Sequence, residues 1–306
     1  MQTIVTGGAG FIGSHITDVL IARGHEVTII DNLISGDKKN IKPKAKFIRL
    51  DIRNRKVASF FDGAEIIFHM AASPEVRTSA IDPTESYDNN VNGTFNLLEA
   101  CRKKDVKHVV FASTSTVYGE AALIPTPEEY ICEPISNYGA SKLACEAYLS
   151  SYAHTYGIKC TALRYANIYG ERSKHGVMYD FYNKLKKNPK RLEILGNGKQ
   201  EKSYLHVFDC VSATILAAQK QQKIYDVFNV GSKEKQTVDY IAKVMSSCIE
   251  LHQKFEYTGL DRGWKGDVRT MLLDIDKINK LGWKPSISLE EGIRRYVTWL
   301  GRENAW

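Results

Sequence analysis

The chain has no apolar run long enough to span a bilayer, no CxxC pair, and no internal repeat or low-complexity tract. The first absence excludes a membrane-spanning helix. With no charged-then-apolar leader ahead of Ile4 and Val5, the expected location is cytoplasmic. The six cysteines (Cys101, Cys132, Cys145, Cys160, Cys210 and Cys248) lie far apart in 306 residues. That spacing reads as buried thiols in a reducing compartment, with neither a disulfide frame nor a zinc site, and no metal is expected. A strong charge of one sign is also missing, since 42 basic and 35 acidic residues leave only +7. The basic clusters at 38–46 and 184–191 read as solvated faces, so neither nucleic acid nor membrane is an expected partner. A small anionic substrate suits the mildly positive balance.

One absence is local. In "FASTSTVYG" (111–119) an apolar strand runs into Ser113, Thr114, Ser115 and Thr116 with no acid or base among them. Such a cluster is either a turn bonding its own backbone or a catalytic edge that does without carboxylates.

The first half alternates short β-branched runs with amphipathic segments. "TIVTG" (3–7), "EVTIID" (26–31), "KFIRLD" (46–51), "EIIFHMAA" (65–72), "HVVFAS" (108–113) and "CTALRYAN" (160–167) read as buried parallel strands. The alternation predicts an α/β fold, a Rossmann-type doubly wound parallel sheet covered by helices. Beyond about residue 168 the pattern loosens, and "YDVFNVGS" (225–232) reads as one strand returning to the sheet. The expected division is a dinucleotide-binding unit over 1–168 with a returning segment near 205–232. A smaller, interleaved α/β substrate unit is expected over 169–204 and 233–306.

Gly7, Gly10 and Gly13 follow the first strand at GxxGxxG spacing and open a helix. Glycines there allow a tight turn and close backbone approach, while the helix N-terminus receives a pyrophosphate. Asp31 ends the second strand 18 residues after Gly13, where an acid bonds both hydroxyls of an adenosine ribose and repels a 2′-phosphate. NAD is therefore expected over NADP. Asp51 and Ile52, after the third strand, are placed at the adenine. Tyr138 and Lys142 are four residues apart, so they share one helix face. An ammonium beside a tyrosine lowers the phenol's pKa from about 10 toward a useful range for a base. The lysine also reaches the nicotinamide ribose.

Together TGGAGFIG, the Asp31-Asn32-Leu33 strand end, DNNVNGT (88–94), STVYG, YGASK and RYANIYG resemble the extended short-chain dehydrogenase/reductase family. Within it the chain is most similar to the nucleoside-diphosphate-sugar 4-epimerases. The resemblance covers essentially the whole chain and thins in the last third, where "HGVMYDF", "GNGKQEKSYLHVFD" and "RGWKGDV" still carry it. It implies NAD-dependent epimerisation at C4, UDP-glucose/UDP-galactose foremost, through a 4-keto sugar. Thr114 is then the group on O4, Tyr138 the base and Lys142 its partner. Phe11, Ile12, Asn32, Ala71, Asn89 and Tyr165 join the cofactor set. Asn167, Val177, Lys202, Arg262 and Met271 join the substrate set, Met271 bordering the sugar's 2-substituent. Sugar dehydratases carry Asp-Glu where this chain has Ser115 and Thr116, and decarboxylases keep a Glu at the second position. Three departures stand out: Pro74 where some members have a lysine, Trp264 where they have a phosphate-binding arginine, and Lys202 for arginine. The rival expectations are a sugar-nucleotide reductase or decarboxylase using Glu120 or Glu75, and a non-catalytic NAD-binding protein. The resemblance also implies a homodimer built on "NGTFNLLEACRKK" and "SKLACEAYLSSYAHTYG", with Phe95, Leu98, Tyr148 and Tyr152 at the contact.

Overall fold

The computed structural model describes residues 1–263 and 266–303. The chain opens with β1 (Gln2–Thr6), α1 (Phe11–Ala22), β2 (Glu26–Asp31), β3 (Lys46–Arg49) and β4 (Ile66–His69). Two single-turn helices follow, α2 (Val76–Ser79) and α3 (Pro83–Ser86), then a π-helical turn (Tyr87–Asn92) that leads into α4 (Gly93–Lys103). Next come β5 (His108–Thr114), α5 (Asn137–Tyr156), β6 (Lys159–Tyr165) and β7 (Asn167–Tyr169). The remainder is α6 (Val177–Lys187), β8 (Arg191–Ile194), β9 (Glu201–His206), α7 (Val207–Lys220), β10 (Tyr225–Val230) and β11 (Lys235–Thr237). It closes with α8 (Val238–Ile249), β12 (Lys254–Tyr257), β13 (Thr270–Met271), α9 (Asp276–Lys280) and α10 (Leu289–Glu303).

The strands run β10-β6-β5-β4-β1-β2-β3 in one seven-stranded sheet whose pairs are all parallel. Strand order reverses between β1 and β4, and the crevice at such a reversal is where open α/β sheets take ligands. Because side chains alternate along a strand, one face of the sheet carries Val109, Phe111, Cys160 and Ala162 against Leu97, Leu98, Cys145 and Leu149 of α4 and α5. The opposite face packs Val5, Val110 and Leu163 against Ile16 and Leu20 of α1 and Ala213 and Ala217 of α7. Helix α5 begins where the Ser136 side chain accepts from Gly139 N at 3.1 Å and ends at Gly157, whose φ of 71° is left-handed.

The second layer is smaller. Strand β9 sits centrally, with β11 antiparallel on one side and β13 and β7 parallel to it. Strands β8 and β12 form a separate parallel pair. A third core of Met178, Phe181, Tyr182, Ile241, Met245, Ile293, Tyr296 and Leu300 joins α6, α8 and α10. Buried Asp209 ties this layer to α7 by accepting from Ser286 N at 3.0 Å and Ile287 N at 2.9 Å.

The alternating runs of the first half are the strands of the large sheet. Strand β10 is the expected returning strand, parallel to β6 at the edge of that sheet. Among the described residues six strands lie outside it, β7, β8, β9, β11, β12 and β13, which short polar runs did not announce. Of the four residues expected at a dimer contact, Leu98 and Tyr152 are buried in their own core, while Phe95 and Tyr148 remain exposed with ring centroids 5.5 Å apart. Among the described residues no helix is long and apolar enough to cross a membrane, and no group of three or more His, Cys, Asp or Glu is placed to hold a metal.

Candidate active site

The glycine loop closes β1 onto α1. Gly7 has a φ of +69°, and a Cβ there would lie 2.7 Å from the Ala71 backbone N, so the β1 and β4 loops touch through backbone alone. A Cβ on Gly13 would meet Gly7 O at 2.2 Å, whereas one on Gly10 would have only Gly7 O, at 3.1 Å, within reach. Gly13 thus permits close packing, and Gly10 leaves bare backbone facing open space. The first N–H groups of α1, at Phe11, Ile12 and Gly13, have no carbonyl one turn back within the helix. No carboxylate in that turn competes for them. This cradle fits a pyrophosphate.

Asp31 ends β2, buried, with one oxygen accepting from Ala9 N at 3.0 Å and the other from Leu33 N at 2.8 Å. Burial raises its pKa against those two hydrogen bonds. Each oxygen keeps acceptor capacity for a ribose hydroxyl. Asn32 donates to Asp51 at 3.0 Å, and Arg53 grips Asp51 through two hydrogen bonds. Arg53 outweighs burial and holds Asp51 down at about 2. Ile52 is buried against Gly93. Asn89, half-buried in the π-helical turn, donates to Glu85 O at 2.9 Å. The Tyr165 hydroxyl meets Thr214 Oγ1 of α7 at 2.8 Å in the core, which fixes this phenol at the end of β6.

Across the crevice, Thr114 ends β5, and its Oγ1 does two jobs. It accepts from Thr116 N at 3.2 Å, capping the short turn Ser115–Tyr118, and it lies close enough to the Tyr138 phenol to favour its ionised form. Thr116 Oγ1 lies 3.1 Å from it. The hydroxyl cluster is therefore both a self-bonding turn and the edge that meets the tyrosine. Single-turn α2 docks on the start of α5, where Ser79 O accepts from Asn137 at 2.7 Å and Ser79 Oγ from Tyr138 N at 3.3 Å.

Lys142 is turned toward β5. Its ammonium donates to Ala112 O at 2.8 Å and sits 4.6 Å from the centroid of the Phe111 ring. The phenol of Tyr138 is pushed up to about 12 by burial, with Thr114 opposing. Lys142 itself is lowered to about 8, chiefly by desolvation.

The candidate substrate residues are split by the fold. Asn167 lies opposite Tyr204, and Met271 opposite Lys202, so β7, β9 and β13 bring three of them onto one small sheet. Asn167 donates to Ser203 O at 3.2 Å. Lys202 pairs with buried Asp267, which also accepts from Gly263 N at 3.1 Å. Val177 opens α6 behind left-handed Gly176. Arg262 meets the same Asp267 through its carbonyl O at 3.1 Å, while its other arm is held by Glu120 at 2.8 Å. Burial raises the Glu120 pKa, but Arg262 and Arg269 together hold it low. Glu120 is thus an ionised clamp and no proton donor. Trp264 lies outside the described residues.

Three groups were missed from sequence. Asn90 bonds Ser73 N at 2.8 Å and Ser141 Oγ at 2.9 Å, stitching the β4 loop to α5. Asp267 anchors Lys202. Glu146 and Arg164 pair at 2.7 Å beneath the hydroxyl edge, and a charged residue inside the apolar run "CTALRY" was the available signal.

The model of the NAD dependent epimerase/dehydratase family matches residues 3–231. The UDP-glucose 4-epimerase of Mycolicibacterium smegmatis is 34% identical, covering 97% of each chain. The solved structure of a Thermotoga maritima UDP-glucose 4-epimerase with UDP-glucose has a TM-score of 0.93 at 37% identity, covering 99% of each chain. That of a Thermus thermophilus UDP-glucose 4-epimerase complex with NAD has a TM-score of 0.91 at 35% identity over 100% of each chain.

The buried ammonium of Lys142 has a stability consequence. Its folded pKa lies below the unfolded value, so between about 8 and roughly 10.4 the unfolded state binds more protons and stability rises with pH. Lys142→Met should therefore stabilise the fold at pH 7, by on the order of 3 kcal/mol relative to its effect at pH 10.5. Denaturant melts of both proteins at the two pH values check this, and an equal difference at both would contradict it.

Proposed function

The chain belongs to the NAD dependent epimerase/dehydratase family, and we propose that it interconverts the C4 epimers of a UDP-hexose, UDP-glucose and UDP-galactose foremost. The carrying observation is that Thr114 ends β5 beside the Tyr138 phenol of α5, with Lys142 one turn on, at a strand end that offers Ser115 and Thr116 in place of acids. Elimination or decarboxylation asks for a further acid there: Glu120 is engaged by Arg262 and Arg269, and Glu75, near enough to raise the Tyr138 pKa, is the acid that such a second reading would use.

In this reading residues 1–168 and 205–232 hold NAD, with Gly7, Gly10 and Gly13 at the pyrophosphate and Asp31 on the adenosine ribose. Residues 169–204 and 233–306 hold the UDP-sugar, with Asn167 and Lys202 on the diphosphate. When bound, NAD+ supplies the hydride acceptor and donor for C4. Thr114 orients O4, and Tyr138 takes the O4 proton as the C4–H bond is broken. The flat 4-keto sugar turns over and presents its other face. Tyr138 then returns the proton to O4 as the C4–H bond re-forms on that other face with the hydride taken earlier, so no net redox occurs. The six free cysteines support a reducing, cytoplasmic setting.

Phe95 and Tyr148, exposed side by side on α4 and α5, support pairing of these helices with a second copy about a two-fold axis. Light scattering at micromolar concentration should report a dimer, and Phe95→Glu should shift it to monomer; a wild-type monomer contradicts this pairing.

Met271 is half-buried against the core and faces the sugar side of the small sheet in this reading. An adaptable methionine leaves room for an acetamido group. Tyr138→Phe should cut UDP-galactose turnover on the order of 10²- to 10⁴-fold with NAD still bound. Met271→Tyr should lower the ratio of UDP-GlcNAc to UDP-glucose activity. Product chromatography on both sugar pairs checks the two variants together; near-normal turnover in Tyr138→Phe sinks the mechanism, and an unchanged ratio sinks the role of Met271.

A further inference from the structure

Beneath the Thr114–Tyr138 edge lies a fully enclosed ionic cluster. Glu146 stands one helical turn after Lys142 on α5, and Arg164 lies on β6 in register with Ser113 of β5. The guanidinium donates Nε to Glu146 Oε1 at 3.0 Å and Nη2 to Oε2 at 2.7 Å, with side-chain exposures of 7% and 3%. The Ser113 hydroxyl donates to the same carboxylate. On its other side, Arg164 Nη1 donates to Tyr118 OH at 2.8 Å and Glu128 O at 3.0 Å. Tyr118 OH in turn donates to Asn229 Oδ1 of β10 at 2.8 Å, while Asn229 Nδ2 holds Thr126 O at 2.9 Å.

These contacts have one thing in common. Ser113 immediately precedes Thr114, Glu146 shares α5 with Tyr138 and Lys142, and Tyr118, Thr126 and Glu128 lie on the loop between Thr114 and Tyr138. Burying two charges costs much of what their attraction returns, so stability alone does not explain such a pair, whereas register and geometry do. We propose that Glu146 and Arg164 are a positioning pair that sets the spacing of Thr114, Tyr138 and Lys142. This rests on the epimerase reading above.

One member of the cluster, Glu146, also favours the charged form of Lys142. That ammonium is faced by Ala112 O and the Phe111 ring from β5, by His69 from β4, and by Tyr138, Cys145 and Glu146 from its own helix. His69 is kept neutral by burial, down at about 3. Desolvation lowers Lys142, and Cys145 and Glu146 oppose it. Of these, Glu146 is the carboxylate, so its removal moves Lys142 toward the neutral amine at working pH.

The test uses the NAD-bound enzyme and two variants, Glu146→Gln and the double variant Glu146→Gln/Arg164→Gln. The second leaves no unpaired guanidinium to bury, so it keeps the test open if the first does not fold. Two readouts apply. kcat on UDP-galactose should fall on the order of 10- to 100-fold, with KM within about threefold of wild type because the diphosphate contacts are untouched. Lys142, followed by the ¹³Cε signal of labelled lysine and assigned by its loss in Lys142→Met, should titrate at lower pH in both variants. Wild-type kcat, or an unmoved Lys142 titration in the folded double variant, overturns the proposal. If the wild type itself shows no turnover, the epimerase reading falls and the lysine titration alone decides this one.

Discussion

Everything at the crevice depends on how α5 is docked on the end of β5. The Lys142 ammonium holds the Ala112 carbonyl at 2.8 Å and lies over Phe111. Those two residues precede Ser113 and Thr114, so the same helix that binds the strand also carries the tyrosine to its hydroxyl edge. A buried ammonium is an expensive way to fasten a helix, since desolvation opposes the charged form. A hydrophobic residue would dock α5 with less strain on stability. That the chain keeps a lysine there is a mark of function over stability, consistent with strained or costly groups collecting at active sites.

The rest of the fold divides labour around this contact. The switch between β1 and β4 provides a crevice lined with backbone, where glycines bring two loops together and free helix N–H groups point outward. The small sheet around β9 gathers polar and cationic groups by strand register, with Lys202 opposite Met271. Between them stands the Thr114–Tyr138 edge. The protein alone leaves the Tyr138 phenol less ionised than free tyrosine, because burial outweighs the opposing influence of Thr114. In the proposed reading, a positively charged cofactor beside Tyr138 would favour its phenolate, which would couple proton transfer to cofactor occupancy by electrostatics.

Legibility in the sequence followed the range of the forces involved. Strand runs such as "HVVFAS" and "EVTIID" show because burial on both faces of a parallel sheet demands unbroken apolar stretches. The glycine loop and the i,i+4 pair of Tyr138 and Lys142 show because their geometry is local. Strands β8, β12 and β13 are two to four residues long and polar on one face, and no local pattern marks them. The direction of the Lys142 side chain, the capture of Arg262 by Glu120, and the burial of the Tyr165 phenol against Thr214 each join residues many positions apart. Spacing along the chain carries no information on such contacts. The pairing of Glu146 with Arg164 is intermediate: both residues look out of place in their apolar surroundings, but only the register of β5 against β6 shows that they meet.

The central claim is that hydrogen leaves and returns to C4 within one crevice while only the O4 proton passes through Tyr138. It is tested most directly by converting UDP-[4-²H]galactose in ordinary water and locating the label in the product by NMR. This account predicts UDP-glucose that keeps deuterium at C4, with no reduced cofactor accumulating. Loss of the label to solvent would contradict it, because the C4 hydrogen would then have travelled as an exchangeable proton.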